Sequence, residues 1–511
     1  METDLFTRFN SEQEKEQCRI GEVSRRELGL TAYEFDDMKR PKENQIGDGL
    51  RLNWHSARGK YREFGREYMK GDFSNFRYKP KANYISVLKQ QGRLDLDSDW
   101  NEQAEILDQR LRGVVRDILG DMAVPLASND LTRNNSGALK IDDFSSGPGG
   151  VLDFSIGRGI AYIGGYPFVL ENDATFRAQP DYPEPEIYGS GDDILVYIEL
   201  WTKTVNYIDD ETIREPALGG PDTCLRKKAV GQIKAVFVSN IATPENACEY
   251  IRQIDDRDSI QFTLKIEQSA HQIPISFGEV DMDGGLIPGN LHFRIELHRG
   301  PAFDGGVNDG FKWSDENAAT VMRILKMPSE YSVVIEETEV ITGEFLKEGD
   351  WVEISNEITE LHRQGGQMAR VERLEQDVSG SIVTLDTAIH PLLKRFKAGE
   401  KSGQKLELSP RLRRWSGYNS PMAMKTVFDL GRGIKAIFHA GKDYLFCPGD
   451  FWTFAIRDRE YNKKYAPQKA DPDGVKTYRH PLAIICNRGS NKPGEIIDCR
   501  KFFGPIAAFR S

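Results

Sequence analysis

One stretch of the chain carries apolar residues at the spacing of an α-helix. After Asp99, apolar side chains recur every three or four positions, with charged residues between them. Asp99 and Glu102 form a capping-box pattern at the start, and Gly120 and Pro125 mark the end. The pattern predicts a helix of about 20 residues whose apolar stripe must be buried, under the following β domain or against another copy of the chain. The stripe comprises Ile106, Leu107, Leu111, Val114, Val115, Ile118 and Leu119.

From about residue 130 onward, the pattern changes to alternation between apolar and polar positions. DILVYIELW (193–201) is typical of a strand, with Ile194, Val196, Ile198 and Leu200 on one face. GIAYIGGYPFVL (159–170) predicts a hairpin that turns at Gly164 and Gly165, and EGDWVEIS resembles the entry to a strand of a small barrel. Because no regular helices separate the strands, we predict a mainly β protein with a helical N-terminal region and several small β-sandwich or β-barrel domains.

Shifts in composition divide the chain into five segments. Residues 1–65 are charge-dense and predict a polar N-terminal arm, and residues 66–130 carry the predicted helix. Residues 131–275 predict one β domain, residues 276–400 a second with a barrel-like part, and residues 401–511 a C-terminal β domain.

Composition restricts the classes of protein to consider. Lys and Arg total 68 and Asp and Glu total 79, so the net charge of −11 does not favour binding to nucleic acid. We find no apolar run long enough to span a membrane and no signal-peptide pattern, and therefore expect a cytoplasmic protein. The six cysteines show no zinc spacing; Cys486 and Cys499 could meet across a hairpin, but buried free thiols are the simpler interpretation.

No recognised catalytic or metal-binding pattern is found. The glycine groups at 147–150, 157–159 and 431–433 lack the lysine of a phosphate-binding loop, so turn glycines are the simpler interpretation. Asp95, Asp97 and Asp99 have the alternate spacing of a calcium loop, as do Asp281 and Asp283, but the later glutamate of an EF-hand is missing. We therefore expect no enzyme activity, no cofactor and no metal site.

Six tryptophans lie beside charged or turn residues, where each could stack on a sugar or anchor an interface. At any single site, we favour a structural role, in which the ring fills apolar space at the edge of a domain. The six are Trp100, Trp201, Trp313, Trp351, Trp415 and Trp452.

Several sequence blocks resemble an uncharacterised domain family encoded in gene clusters of phage-tail-like contractile injection systems. The first block, MKGDFSNFRYKPKANYISVLKQQGRLDLDSDWNEQ, spans 69–103, and the second spans 196–237 around LGGPDT. Later blocks, including FRIELHRG, GDWVEI and GDFWTFAIRD, follow in the same order up to about residue 506. The signature positions are Gly71, Asp72, Phe73, Gln91, Gly92, Arg93, Asp99, Trp100, Asn101, Glu102, Gly219, Gly220, Pro221 and Asp222.

The resemblance implies a structural subunit at or around the baseplate of such a particle, acting through protein–protein assembly. It also implies a homo-oligomer of sixfold or threefold cyclic symmetry, with baseplate, sheath and spike proteins as partners. The particle would assemble in the cytoplasm and could be released or docked at a membrane. Two alternatives remain open: a carbohydrate-binding or carbohydrate-cleaving module related to tail spikes, and a toxin cargo.

Overall fold

The architecture is taken from a computed structural model of the chain. It describes residues 69–79, 82–126, 136–146, 152–220, 222–255, 261–266, 291–301, 307–336, 346–377, 380–394, 409–420, 426–431, 434–439, 447–456, 462, 464–486 and 495–504. The predicted N-terminal arm, residues 1–65, lies outside the described residues, as do Pro221, Asp281 and Asp283.

The described residues are rich in strands and contain few helices. The α-helices are α1 (Asp97–Leu119), α2 (Pro244–Asp255) and α3 (Glu357–Leu361). The first strands are β1 (Met122–Pro125), β2 (Ile141–Ser146), β3 (Leu152–Ile156), β4 (Gly159–Ile163), β5 (Tyr166–Leu170), β6 (Ala174–Thr175), β7 (Ile187–Gly189), β8 (Asp193–Val205) and β9 (Arg226–Val238). The middle strands are β10 (Gln261–Ile266), β11 (Leu291–Pro301), β12 (Val307–Ser314), β13 (Val321–Lys326), β14 (Ser332–Ile335), β15 (Trp351–Ser355), β16 (Gln367–Asp377) and β17 (Gly380–Leu385). The last strands are β18 (Arg411–Trp415), β19 (Gly417–Asn419), β20 (Val427–Asp429), β21 (Ile434–His439), β22 (Phe451–Ile456), β23 (Tyr478–Ile485), β24 (Ile496–Asp498) and β25 (Phe502–Phe503).

The first module is built on a five-stranded sheet of order β24-β23-β8-β9-β7. Two smaller sheets, β25-β1-β4-β5 and β2-β3-β6, pack on one face of it and share its core. The predicted alternation along β8 is confirmed, because its even-numbered residues from 194 to 200 are buried in that core. Helix α2 covers the other face, against Leu195 and Val236. The predicted hairpin is also confirmed: Gly164 and Gly165 have φ values of 58° and 83° at the turn between β4 and β5.

The second module is a closed barrel of order β13-β14-β17-β16-β15-β18. Val352 and Ile354 of β15 point into its apolar core, so the barrel interpretation of EGDWVEIS is confirmed. The third module pairs the sheet β19-β12-β11-β22 with the sheet β10-β21-β20 around an aromatic core. The predicted fold class, mainly β with small barrel and sandwich units, is therefore confirmed.

Strand pairing crosses the segment boundaries suggested at residues 275 and 400. Strand β18 closes the barrel, β19 to β22 complete the third module, and β23 to β25 return to the first module. The last strands pair with β8 and β1, about 280 and 380 residues earlier along the chain. The modules are therefore interlocked by the path of the chain.

Helix α1 begins earlier than the capping pattern indicates. Its first residue is Asp97, and the preceding residue, Leu96, makes no side-chain cap. The Asp97 carboxylate accepts hydrogen bonds from the Ser74 amide and hydroxyl, at 2.9 and 2.5 Å, and Asp99 forms an ion pair with Arg77 at 2.7 Å. The capping box predicted at Asp99 is therefore wrong, because the helix begins two residues earlier and Asp99 pairs with Arg77 of the preceding extended segment.

Candidate functional site

A cavity of about 1240 Å³ lies where the three modules meet. Its walls come from the end of β8, the segments 206–209 and 222–225, the sandwich strand β11 and the barrel strands β15 and β18. The start of α1 and the segment 69–73 complete it. Several signature positions therefore gather at this cavity: Gly71, Asp72, Phe73, Trp100, Asn101 and Asp222.

The segment 69–73 is held at the cavity by the third module. The Asn317 side-chain amide donates to the carbonyl oxygens of Met69 and Gly71, at 2.7 and 2.9 Å, and His292 Nδ1 lies 3.1 Å from the Phe73 carbonyl oxygen. A Cβ at Gly71 would lie 2.5 Å from Leu225 Cδ1 and 2.8 Å from the Phe73 ring, so any larger residue would displace these side chains.

The other signature positions lie elsewhere. Gln91, Gly92 and Arg93 form an exposed turn, with φ of 72° at Gly92, and Arg93 has no carboxylate partner among the described residues. Gly219 and Gly220 follow a 3₁₀ turn, where the Gly220 carbonyl oxygen accepts from Arg214 at 3.4 Å. Asp99 and Glu102 lie on α1, outside the cavity lining, and Pro221 lies outside the described residues.

A buried layer of charged side chains separates the third module from the barrel. Lys312 Nζ lies 2.6 Å from Glu353 Oε1 and 3.3 Å from Glu296 Oε1, and Arg294 Nε donates to Glu296 Oε2 at 2.8 Å. Trp415 Nε1 donates to Glu353 Oε2 at 2.9 Å. Burial by itself would raise the pKa of Glu353, but Lys312 and other cations hold the pKa well below its ordinary range. The layer is therefore ionised inside the protein.

The sequence FRIELHRG resembles a family block, but nothing in it indicates this buried layer. His292, Arg294, Glu296 and His298 occupy alternate positions of β11, all buried, and the core-facing positions between them are apolar. Alternation of this kind ordinarily indicates a sheet with one solvent-exposed face. Here, the polar face is covered by the barrel, and burial, followed by the charge of Lys312, lowers the pKa of His298 to about 3.

A second buried cluster surrounds Glu199 on β8. Its carboxylate lies 2.6 Å from Lys234 Nζ and 2.6 Å from Arg479 Nε, and it accepts a short hydrogen bond from Arg363. Burial alone would raise the pKa of Glu199, but Arg363, Arg479 and Lys234 outweigh it and hold the pKa well below its ordinary value of 4.5. Burial lowers the pKa of Lys234 to about 8, although Glu199 opposes that shift. Three cations thus share one carboxylate.

One face of helix α1 is exposed, although it is apolar. The helix packs on the first module through Ile106 and Arg112, and the Arg112 guanidinium donates to the Tyr166 hydroxyl at 2.7 Å. The opposite face carries a row that we call the seam. It consists of Trp100, Ala104, Leu107, Leu111, Val114 and Ile118, all of which are exposed. Of the predicted stripe, Ile106 is therefore buried and Val115 and Leu119 are partly buried, whereas the other four members are exposed.

The seam is extended by the segment that precedes the helix. The Val87 amide donates to Gln103 Oε1 at 2.7 Å, and Arg110 contacts the Ile85 carbonyl oxygen at 3.4 Å, so this segment lies along one edge of α1. Ile85 and Leu88 are both mostly exposed there. The apolar surface is thus wider than the helix alone.

The remaining sequence candidates are placed as follows. Trp201, Trp415 and Trp452 are buried and Trp313 and Trp351 are partly buried, which leaves Trp100 as the mostly exposed ring of the six.

The five described cysteines are free thiols, and Cys18 lies outside the described residues. Asp95 forms an ion pair with Lys89, and the described residues hold no group of three potential metal ligands. No helix in the described part of the chain is long and apolar enough to cross a bilayer.

Comparison with known proteins gives one family. A family of unknown function, DUF6519, matches residues 69–251, which is well under half of the chain. The matched region begins at the segment that lines the cavity, contains α1 and β1 to β9, and ends within α2. No similarity was found to a curated protein or to a solved structure. The match contains all the signature positions, but it assigns no activity to them.

Proposed function

We propose that this chain is a structural subunit of a phage-tail-like contractile injection particle, at or around the baseplate, and that it acts by assembly with other subunits. The placement in a particle comes from the resemblance of the sequence blocks. The observation that carries the assembly role is the seam, because an apolar helix face of this length is normally covered in a folded protein.

The spacing of the seam favours a second helix as its occupant. Its residues follow one another at intervals of four, three, four, three and four, from Trp100 to Ile118. An apolar repeat of 3.5 residues is what a helix needs to stay in contact with a supercoiled partner helix. Since cyclic homo-oligomers place identical elements around one axis, we take the occupant to be the α1 helix of another copy.

The free energy gained by burying the seam is consistent with association between copies. Leu107, Leu111, Val114 and Ile118 are 56, 65, 56 and 61% exposed. Full burial of such a side chain contributes about 1.5–3 kcal/mol, so covering the exposed parts of these four contributes about 4–7 kcal/mol per copy. Two copies together therefore match much of the range of association cost, about 4–15 kcal/mol, and Ile85 and Leu88 add further area. We therefore expect the copies to associate at high protein concentration.

The experiment is to measure the mass of the full chain in solution by light scattering after size-exclusion chromatography. The wild-type protein is expected to be an oligomer, and Leu111→Lys is expected to shift it to the monomer, because a charge in the seam cannot be desolvated. Leu218→Lys is the matched control, since Leu218 is 62% exposed and lies away from the seam. A monomeric wild-type protein at high concentration, or equal effects of the two substitutions, would contradict the assembly role.

The placement of the chain in a particle is tested by co-purification. Particles isolated from cells that express the tagged full chain are expected to contain it together with sheath and tube proteins. Leu111→Lys is expected to reduce its amount in particles, whereas Leu218→Lys is not. If the chain is abundant in the lysate and absent from the particles, the placement in a particle is wrong even if the chain forms oligomers by itself.

A further inference from the structure

The deep part of the cavity holds more arginines than carboxylates. Four buried arginines belong to its lining: Arg294, Arg363, Arg411 and Arg413. The buried carboxylates of the lining are Glu296 and Glu353. The other lining carboxylates are less deeply buried: Asp72, Asp97, Asp209, Asp222, Glu316 and Glu360. Positive charge is therefore concentrated in the interior, and most of the negative charge lies closer to solvent.

Two of these arginines are paired with carboxylates of the cavity lining. Arg411 binds Asp209 Oδ1 at 3.0 Å and Glu360 Oε2 at 2.9 Å, and Arg294 binds Glu296 Oε2 at 2.8 Å. Each of them has a carboxylate at ion-pair distance. The pair of Arg411 with Asp209 links the barrel to the first module, whereas the pair of Arg294 with Glu296 lies within β11.

Arg413 is not neutralised in this way. It lies opposite Glu353 in the pairing of β15 with β18, but the Glu353 carboxylate accepts instead from Lys312 and Trp415. The Arg413 guanidinium donates to the Ala318 carbonyl oxygen, and it forms no ion pair with any described residue. Glu360 and Glu353 attract it only from beyond ion-pair distance. A buried guanidinium with no carboxylate in direct contact is costly to the folded protein, unless an anion binds to it.

Arg363, which also lines the cavity, is ion-paired with Glu199 but is incompletely hydrogen-bonded. It follows helix α3 with φ of 54°, a left-handed conformation in which glycine is usual and an arginine is strained. One of its nitrogens donates to Glu199, which is shared with Lys234 and Arg479, while its Nε and Nη1 atoms have no hydrogen-bond partner. Buried polar atoms are rarely left without partners, so this strained arginine also points to a missing anion.

We propose that the cavity binds a small polyanion whose oxyanion group, a phosphate or a carboxylate, is held by Arg413 and attracted by the charge of Arg363. The planar guanidinium binds either oxyanion through two parallel hydrogen bonds. The volume of about 1240 Å³ exceeds what one phosphate fills, so an organic molecule that carries the oxyanion fits better than a single inorganic ion. This inference does not depend on the assembly role.

The test is calorimetric titration of the full chain with inorganic phosphate, citrate and the neutral sugar glucose. Phosphate, citrate or both are expected to bind saturably and glucose is not, and the stronger of the two anions identifies the oxyanion. Arg413→Met is expected to weaken that binding by about tenfold or more. Arg373→Met is the matched control, because Arg373 lies on the outside of the same barrel with its side chain 65% exposed.

Two further measurements, of stability and of chemical protection, distinguish lost binding from failure to fold. Arg413→Met is expected to be at least as stable as the wild type without ligand, because it removes a buried unneutralised charge. In the wild-type protein, the binding anion is expected to protect Arg413, and not Arg373, from modification by phenylglyoxal. The proposal is overturned if neither anion binds, if Arg413→Met keeps the wild-type affinity, or if that variant fails to fold and the anion does not protect Arg413.

Discussion

The cluster around Glu199 gives the most direct test of the physical argument. Glu199→Gln keeps the shape of the side chain and removes the only charge that Lys234, Arg363 and Arg479 share at ion-pair distance among the described residues. Removing one partner of a buried ion pair costs about 3–5 kcal/mol, because the remaining charges stay buried. The Glu199 side chain is only 2% exposed, so solvent does not screen the loss. We expect the free energy of unfolding to fall by about 3–5 kcal/mol near pH 7.

The assay is urea unfolding of the wild type and the variant, followed by tryptophan fluorescence. Glu372→Gln on the barrel surface is the control, and its expected effect is within about 0.5 kcal/mol, because Glu372 is exposed. The pKa of Glu199 in the folded protein lies well below the ordinary 4.5. The stabilisation that the Glu199 carboxylate contributes is therefore complete above the pKa of this group in the unfolded chain. It is lost as the pH falls through the pKa of this group in the folded protein.

The difference between wild type and Glu199→Gln should accordingly shrink as the pH is lowered below about 4.5. A loss of less than about 1 kcal/mol near pH 7 would refute the argument, since an exposed ion pair is worth that little. A loss that stays constant down to low pH would also refute it, because the effect would then come from packing and not from charge.

Three further substitutions or measurements test other parts of the structure. Arg112→Met is expected to cost about 1.5–3 kcal/mol in urea unfolding, because it removes a charged hydrogen bond to the Tyr166 hydroxyl; an unchanged midpoint would contradict this role of α1. Gly231→Ala places a Cβ 2.3 Å from the Phe168 ring and is expected to cost about 1–3 kcal/mol, so a neutral effect would exclude this close packing. Burial lowers the pKa of Lys70 to about 8, so its amine should react with acetic anhydride at a lower pH than the amines of exposed lysines do. Because the unfolded state holds the proton up to about pH 10.5, the free energy of unfolding should rise between pH 8 and 10.5. If Lys70 titrates with the exposed lysines, it is not desolvated.

Local patterns were sufficient for many elements of this fold, although not for helices α2 and α3. Strand alternation placed β8 with the correct face in the core, paired glycines placed the hairpin between β4 and β5, and EGDWVEIS indicated a barrel strand. These features depend on backbone periodicity and turn geometry, which neighbouring residues determine. The helix was also predicted, although its start was not, since Asp97 and Asp99 bind Ser74 and Arg77 more than 20 residues earlier.

Tertiary structure alone decided where charge and apolar surface lie. The alternation of Arg294, Glu296 and His298 is the same in a solvent-exposed sheet and in one covered by a barrel. The spacing of the seam likewise did not tell whether the β domain or another molecule covers it. Pairing of β23 and β25 with strands hundreds of residues earlier leaves no local signal, because it depends on the energy of the assembled core. Sequence periodicity thus determined many elements of this protein, whereas long-range packing decided which faces are buried, which charges are paired and which apolar surface stays exposed.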